Sequence, residues 1–138
     1  MTYEEFGFED VSSDFLGTLH SKNLDTSAIP DTVSIATKID KCRVTANGKE
    51  IAMYDLEKLS TKDNYLVFFG NNYAETIIET ECKNGKTLLV VKDSFANSFV
   101  PLLTENYEKI INKGEKHMYL TCLSIDLTRR CNLGCDFC

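Results

Sequence analysis

The chain has 138 residues, 43% of them hydrophobic and 26% charged, and a formal net charge of −6. That is enough for one modest hydrophobic core. Residues 1–32 hold seven acids and a single base, Lys22, while the remainder is balanced; without a basic stripe, phosphate-led binding to nucleic acid or an anionic membrane is excluded.

No apolar run approaches the length of a membrane span. The opening "MTYEEFGFEDVSSDF" is acidic and has no apolar h-region, so it does not read as a secretory signal. A cytoplasmic location is the expectation, and there clustered cysteines point to metal or redox work rather than to disulfides.

In chain order, residues 1–32 read as an acidic arm with aromatics at Tyr3, Phe6, Phe8 and Phe15 but no sustained period. "VSIATKI" places Val33, Ile35 and Ile39 on one face of a strand. "KCRVTANGKEIAMYDLEKL" has Asn47-Gly48 between two strand-like runs, a two-residue hairpin signal, since both residues tolerate positive φ. "YLVFFG" reads as a short buried strand, and "TIIETECKNGKTLLVVKD" as a second hairpin turning at Asn84-Gly85.

In "SFANSFVPLLTENYEKIINKGEK", Phe99, Leu102, Leu103, Tyr107, Ile110 and Ile111 follow a three-four spacing. That predicts an amphipathic helix with Pro101 in its first turn, Lys109 and Lys113 near its end and Gly114 as its stop. "HMYLTCLSIDLT" reads as a strand apolar on both faces, as in a parallel sheet or barrel. The expected organisation is an acidic arm at 1–32, an accessory α+β domain at 33–116 and a further unit at 117–138.

The end of the chain carries the chemistry. Cys131, Cys135 and Cys138 are spaced C-x3-C-x2-C directly after that last strand. A closed structural zinc site takes four ligands. Three thiolates on a four-iron cube leave one iron open to a small molecule, which marks a reactive centre.

"LSIDLTRRCNLGCDFC" resembles the opening strand and cluster loop of the radical S-adenosylmethionine (radical SAM) enzymes. Cys131, Cys135, Phe137 and Cys138 match their C-x3-C-x-aromatic-C signature. Thr128, Asn132 and Leu133 fit the wording of the branch that modifies peptides and proteins. The resemblance implies that the three thiolates hold a [4Fe-4S] cluster and that S-adenosylmethionine chelates its open iron, with Phe137 beside the adenine. Cleavage of the cofactor then yields a 5′-deoxyadenosyl radical. It also implies a peptide or protein substrate and an electron donor.

The fold so implied is α+β: a mostly antiparallel sheet domain with a packed helix, followed by the first strand and cluster loop of a truncated partial (β/α)6 TIM-like barrel. Nothing follows Cys138. The chain is therefore expected to be the N-terminal part of a longer enzyme, inactive alone.

Other residues weigh less. Cys42, Cys82 and Cys122 are isolated and read as small buried apolar groups. Arg129 and Arg130 flank the cysteine loop, where they either lower thiolate pKa values or are simply solvated. Two alternatives stand beside the radical enzyme. One is a peptide-binding module at 33–116 that grips an extended chain by strand addition, its cysteine tail a remnant. The other is a small zinc protein in which His20 or His117 completes the cysteine set.

Overall fold

The structure, a computed structural model, describes residues 6–17, 29–39, 41–114 and, for the backbone alone, 122–126. Eight strands run in the order β1 (Phe8–Phe15), β2 (Asp31–Ala36), β3 (Cys42–Ala46), β4 (Lys49–Ile51), β5 (Glu75–Thr80), β6 (Thr87–Lys92), β7 (Lys109–Gly114) and β8 (Cys122–Asp126). β1 and β2 form an antiparallel pair, and the other six form one sheet ordered β4-β3-β5-β7-β6-β8. Helical structure among the described residues is confined to short 3-10 turns. None of these is long and apolar enough to cross a membrane.

The Asn47-Gly48 hairpin forms as its residues require. Asn47 has φ 50° and Gly48 φ 78°, both in the left-handed region of a type I′ turn. The turn sets Val44 opposite Ile51 and Ala46 opposite Lys49. β2 also behaves as its alternation predicts, with Val33 and Ile35 buried.

The second Asn-Gly pair does not make a hairpin. β5 and β6 are not neighbours, because β7 lies between them, antiparallel to β5 and parallel to β6. A gap of two strand spacings is about 10 Å, beyond a two-residue turn. The loop of residues 81–86 spans it and bonds to the entry of β7. Asn84 Nδ2 donates to Asn106 O at 2.9 Å, and Gly85 N donates to Glu108 Oε2 at 2.8 Å.

The helix expected around Phe99–Ile111 is not there, which corrects the α+β reading. Residues Val100–Leu103 form a single 3-10 turn, closed where the Thr104 hydroxyl donates to Pro101 O at 2.8 Å. Beyond it, β7 buries every second residue, Ile110 and Asn112, as a strand does. The adjacent β-branched Ile110 and Ile111 suit the pleat better than a helix. Lys109 and Lys113 pair across the sheet with Glu79 and Glu75 instead of capping a helix end.

"YLVFFG" also departs from strand geometry. Asn64–Val67 is a 3-10 turn, Phe68 makes one isolated bridge to Tyr54, and Phe69 takes φ 66°. The run is nonetheless core, since Val67, Phe68 and Phe69 are all buried. Finally, Cys122–Asp126 is a strand, but it lies antiparallel on β6, with Leu88 opposite Asp126 and Lys92 opposite Cys122. No start of a TIM-like barrel is present among the described residues; the strand extends the existing sheet.

Register places the core. On the buried face, Val44, Ile78, Ile110 and Leu88 stand side by side across β3, β5, β7 and β6. Each is at most 2% exposed, and each such burial stabilises by about 1.5–3 kcal/mol. The next row is mixed: Ala46, Thr76, Asn112 and Val90. The row after that ends β6 and β7 with Lys92 opposite Gly114. The covered face thus turns from apolar to polar toward the carboxyl ends of the two parallel strands.

Candidate functional site: a polar cleft at the end of the parallel pair

β6 reads Leu88, Val90, Lys92 on its buried face, so alternation carries a lysine into a position where the pattern asks for an apolar residue. Lys92 is only 6% exposed. A buried ammonium needs hydrogen-bond partners. It donates to Asn97 Oδ1 and, at 3.4 Å, to the carbonyl of Asp93. Asn97, itself 4% exposed, donates from Nδ2 to Asn72 Oδ1 at 3.0 Å. Lysine and two carboxamides therefore form a chain from the sheet to the surface loop of residues 71–74.

This chain borders a cleft of about 380 Å³, lined by Asn72, Tyr73, Ala74, Lys92, Ser94 and Gly114, with Asp93 at its rim. Gly114 makes the cleft possible. A Cβ there would stand 2.8 Å from Tyr73 O, and Gly114 N donates to Ala74 O at 2.9 Å. Only a residue without a side chain lets the 73–74 backbone come this close.

The wall is a 3-10 turn, Ser94–Asn97, capped where the Asp93 carboxylate accepts from Phe95 N at 3.0 Å. Tyr65 fixes the turn from the other side. Its hydroxyl donates to Phe95 O at 2.6 Å and receives Ser98 N at 3.2 Å. Burial holds the Tyr65 phenol above its ordinary pKa, against the lowering effect of the Ser98 hydrogen bonds. The wall is thus a rigid polar scaffold around the ammonium, able to hold a group with several acceptor atoms.

A second cleft, of about 330 Å³, is lined by Ile51, Asp55, Lys58, Phe69, Gly70 and Tyr73, among others. Tyr73 is common to both clefts. Asp55 and Lys58 stand 4.0 Å apart, a loose and partly exposed pair. Tyr54 lies behind, its hydroxyl pushed up to about 12, chiefly by burial.

The residues singled out by sequence fall elsewhere. Cys131, Cys135, Phe137 and Cys138, proposed for the cluster and its cofactor, lie outside the described residues, as do His20, His117, Arg129 and Arg130. Cys42 and Cys82 are half-buried and exposed to different loops of the sheet, in keeping with no shared site. Among the described residues, no group of three or more His, Cys, Asp or Glu side chains is placed to hold a metal ion. The cleft residues Lys92, Asn97, Asn72 and Gly114 were not anticipated. The available signal was the lysine that interrupts the alternation of "TLLVVK".

Comparisons with known proteins place the chain. No curated protein sequence matches it. Among solved structures, a DHHW family protein from Eubacterium siraeum DSM 15702 matches with a TM-score of 0.56 at 21% identity, covering 83% of this chain and 41% of that one. Bacillus cereus PatB1, solved with a sulfonyl adduct, matches with a TM-score of 0.58 at 18% identity, covering 86% of this chain and 41% of that one. The chain spans about two fifths of the length of these neighbours. They share its fold, and neither is a radical SAM protein.

These findings overturn the radical SAM assignment, and with it the iron–sulfur enzyme and peptide-maturase reading. That assignment rested on a local spacing in residues 117–138, whereas the match to a family model, described as "DHHW protein", extends over residues 13–112. Because that match takes in well over half of its length, the chain belongs to the DHHW protein family.

Proposed function

We propose that this chain supplies a ligand-holding sheet domain to a DHHW-family protein, and that the Lys92 cleft takes a carboxylate-bearing ligand. The observation that carries the reading is the Lys92–Asn97–Asn72 chain on the wall of a cleft of about 380 Å³. A buried ammonium held by amides is a costly feature for a fold to keep, and attraction of an anionic group gives it a use. The peptide or protein partner expected from the sequence enters here as one source of such a carboxylate.

The test is a nuclear magnetic resonance titration of the chain with N-acetylglycine, a carboxylate carrying one amide. The Asn97 side-chain amide and the backbone amides of Lys92 and Ser94 shift together, with a Kd near about 1 mM, or roughly −4 kcal/mol. Lys92→Met, which keeps the stem, weakens this by at least about tenfold, the loss of about 1.4 kcal/mol. If the wild-type signals stay still up to high millimolar ligand, the cleft is not a carboxylate site.

A further inference from the structure

The two clefts share Tyr73, and their remaining lining meets at consecutive residues, Asn71 in one and Asn72 in the other. Their polar groups differ in sign. The Lys92 end presents an ammonium and carboxamides. The other end presents the Asp55 carboxylate, which lies against Gly70: a Cβ on that glycine would be 2.9 Å from Asp55 Oδ2. The Asp55 carboxylate is only loosely engaged by Lys58 at 4.0 Å, and exposed pairs of that kind contribute little.

The backbone between the two ends is held in shape. Phe69 and Gly70 have φ of 66° and 76°, and Phe69 N donates to Met53 O at 2.9 Å while Asp55 N donates to Val67 O at 2.8 Å. A phenylalanine in the left-handed region carries backbone strain of about 1–3 kcal/mol that the surroundings must offset. Here the strained residue sits at the floor of a cleft.

We infer that the two clefts are one groove, bridged by Tyr73, and that it binds a short extended peptide with an anionic group at the Lys92 end and a cationic group at the Asp55 end. This inference rests on the reading of the Lys92 cleft as a carboxylate site and names the ligand class. Length follows from the chain itself. Gly70 and Asn72 are two residues apart, at most about 7 Å between their Cα atoms. The ligand's two charges are therefore separated by only a few residues.

The experiment is a titration series with N-acetyl-lysine extended at its C-terminus by zero to four glycines, each ending in a free carboxylate. N-acetylglycine is the reference. Signals of Asn97 and Ser94 report one end, and signals of Gly70 and Asn71 the other. At an optimum of one to three glycines, both sets shift and affinity rises at least about tenfold over N-acetylglycine, because the second contact is intramolecular. Asp55→Asn removes that gain and leaves N-acetylglycine binding unchanged. Replacing lysine by glutamate in the peptide removes it without altering the protein.

If Gly70 and Asn71 stay silent for every length while Asn97 responds, the clefts are separate and the groove is wrong, though the carboxylate site stands. Silence at Asn97 as well overturns both.

Discussion

Asn112 Nδ2 donates to Thr76 Oγ1 at 2.8 Å, joining two buried side chains that stand opposite one another on β7 and β5. The other polar atom of that amide, Asn112 Oδ1, has no partner. A buried acceptor left unsatisfied costs about 1–3 kcal/mol, whereas removing both members of a polar pair together is often neutral. Asn112→Leu alone is expected to destabilise by about 1–2 kcal/mol, because it strands the threonine hydroxyl. Asn112→Leu with Thr76→Val should recover most of that loss or exceed wild type. Urea denaturation of the four proteins in the cycle checks it; a double variant worse than either single one means the pair contributes more than its orphan oxygen costs.

Gly114 offers a second test, this time of cleft shape. The alanine methyl would approach a backbone carbonyl, Tyr73 O, at 2.8 Å, and backbone yields less readily than a side-chain tip. Gly114→Ala should destabilise by about 1–3 kcal/mol, the range for overpacking a tight contact. It should also weaken N-acetylglycine binding, since the displaced 73–74 segment lines the cleft. A Gly114→Ala protein with wild-type urea midpoint and wild-type titration would show that the close approach is not needed.

The two buried phenols predict an alkaline limit to stability. Tyr54 is raised to about 12 and Tyr65 is raised too, in both cases chiefly by burial. A folded-state pKa above the unfolded value means the folded protein holds its proton longer. The contribution is fully present below about pH 10, the ordinary tyrosine value, and is lost as pH rises through the folded pKa. Melting temperature should therefore fall steeply from about pH 10 toward pH 12. Tyr54→Phe should flatten that fall, because no phenol then needs to ionise, while lowering stability little near neutral pH. An unchanged alkaline slope in Tyr54→Phe would remove the burial argument for that residue.

How much of this was legible in the sequence depends on whether the signal is local. Asn47-Gly48 specifies two positive φ values and the hairpin follows from them. Asn84-Gly85 carries the same local signal, and Gly85 does take φ 72°, but φ says nothing about which strand fills the adjacent slot. The insertion of β7 between β5 and β6 is a nonlocal choice. The apparent helix came from joining Phe99, Leu102 and Leu103, which belong to a 3-10 turn, with Ile110 and Ile111, which belong to a strand. Period three-four arose across a boundary at residues 104–106, where no single element exists. The cleft was hidden for a related reason: Asn72, Lys92, Asn97 and Gly114 are brought together by register, and no short motif joins them. The cysteine spacing, by contrast, is wholly local and so stood out, although the fold of residues 13–112 is not the one it suggested.

Phe95 and Phe99 are 76% and 51% exposed, yet the turn that bears them is among the better-held parts of the surface. Asp93 caps Phe95 N at 3.0 Å and the Tyr65 hydroxyl binds Phe95 O at 2.6 Å, so both rings stand on fixed backbone. Removing them deletes little core packing. Phe95→Ser with Phe99→Ser should change stability by no more than about 0.5 kcal/mol per site, as for other surface positions. It should also reduce binding of an apolar dye and any concentration-dependent self-association seen by sedimentation. Val100, on the same turn, is 0% exposed, and Val100→Ala should cost about 1–3 kcal/mol. The contrast between neighbouring residues is the test. If the double serine variant loses as much stability as Val100→Ala, the two rings are structural rather than surface groups.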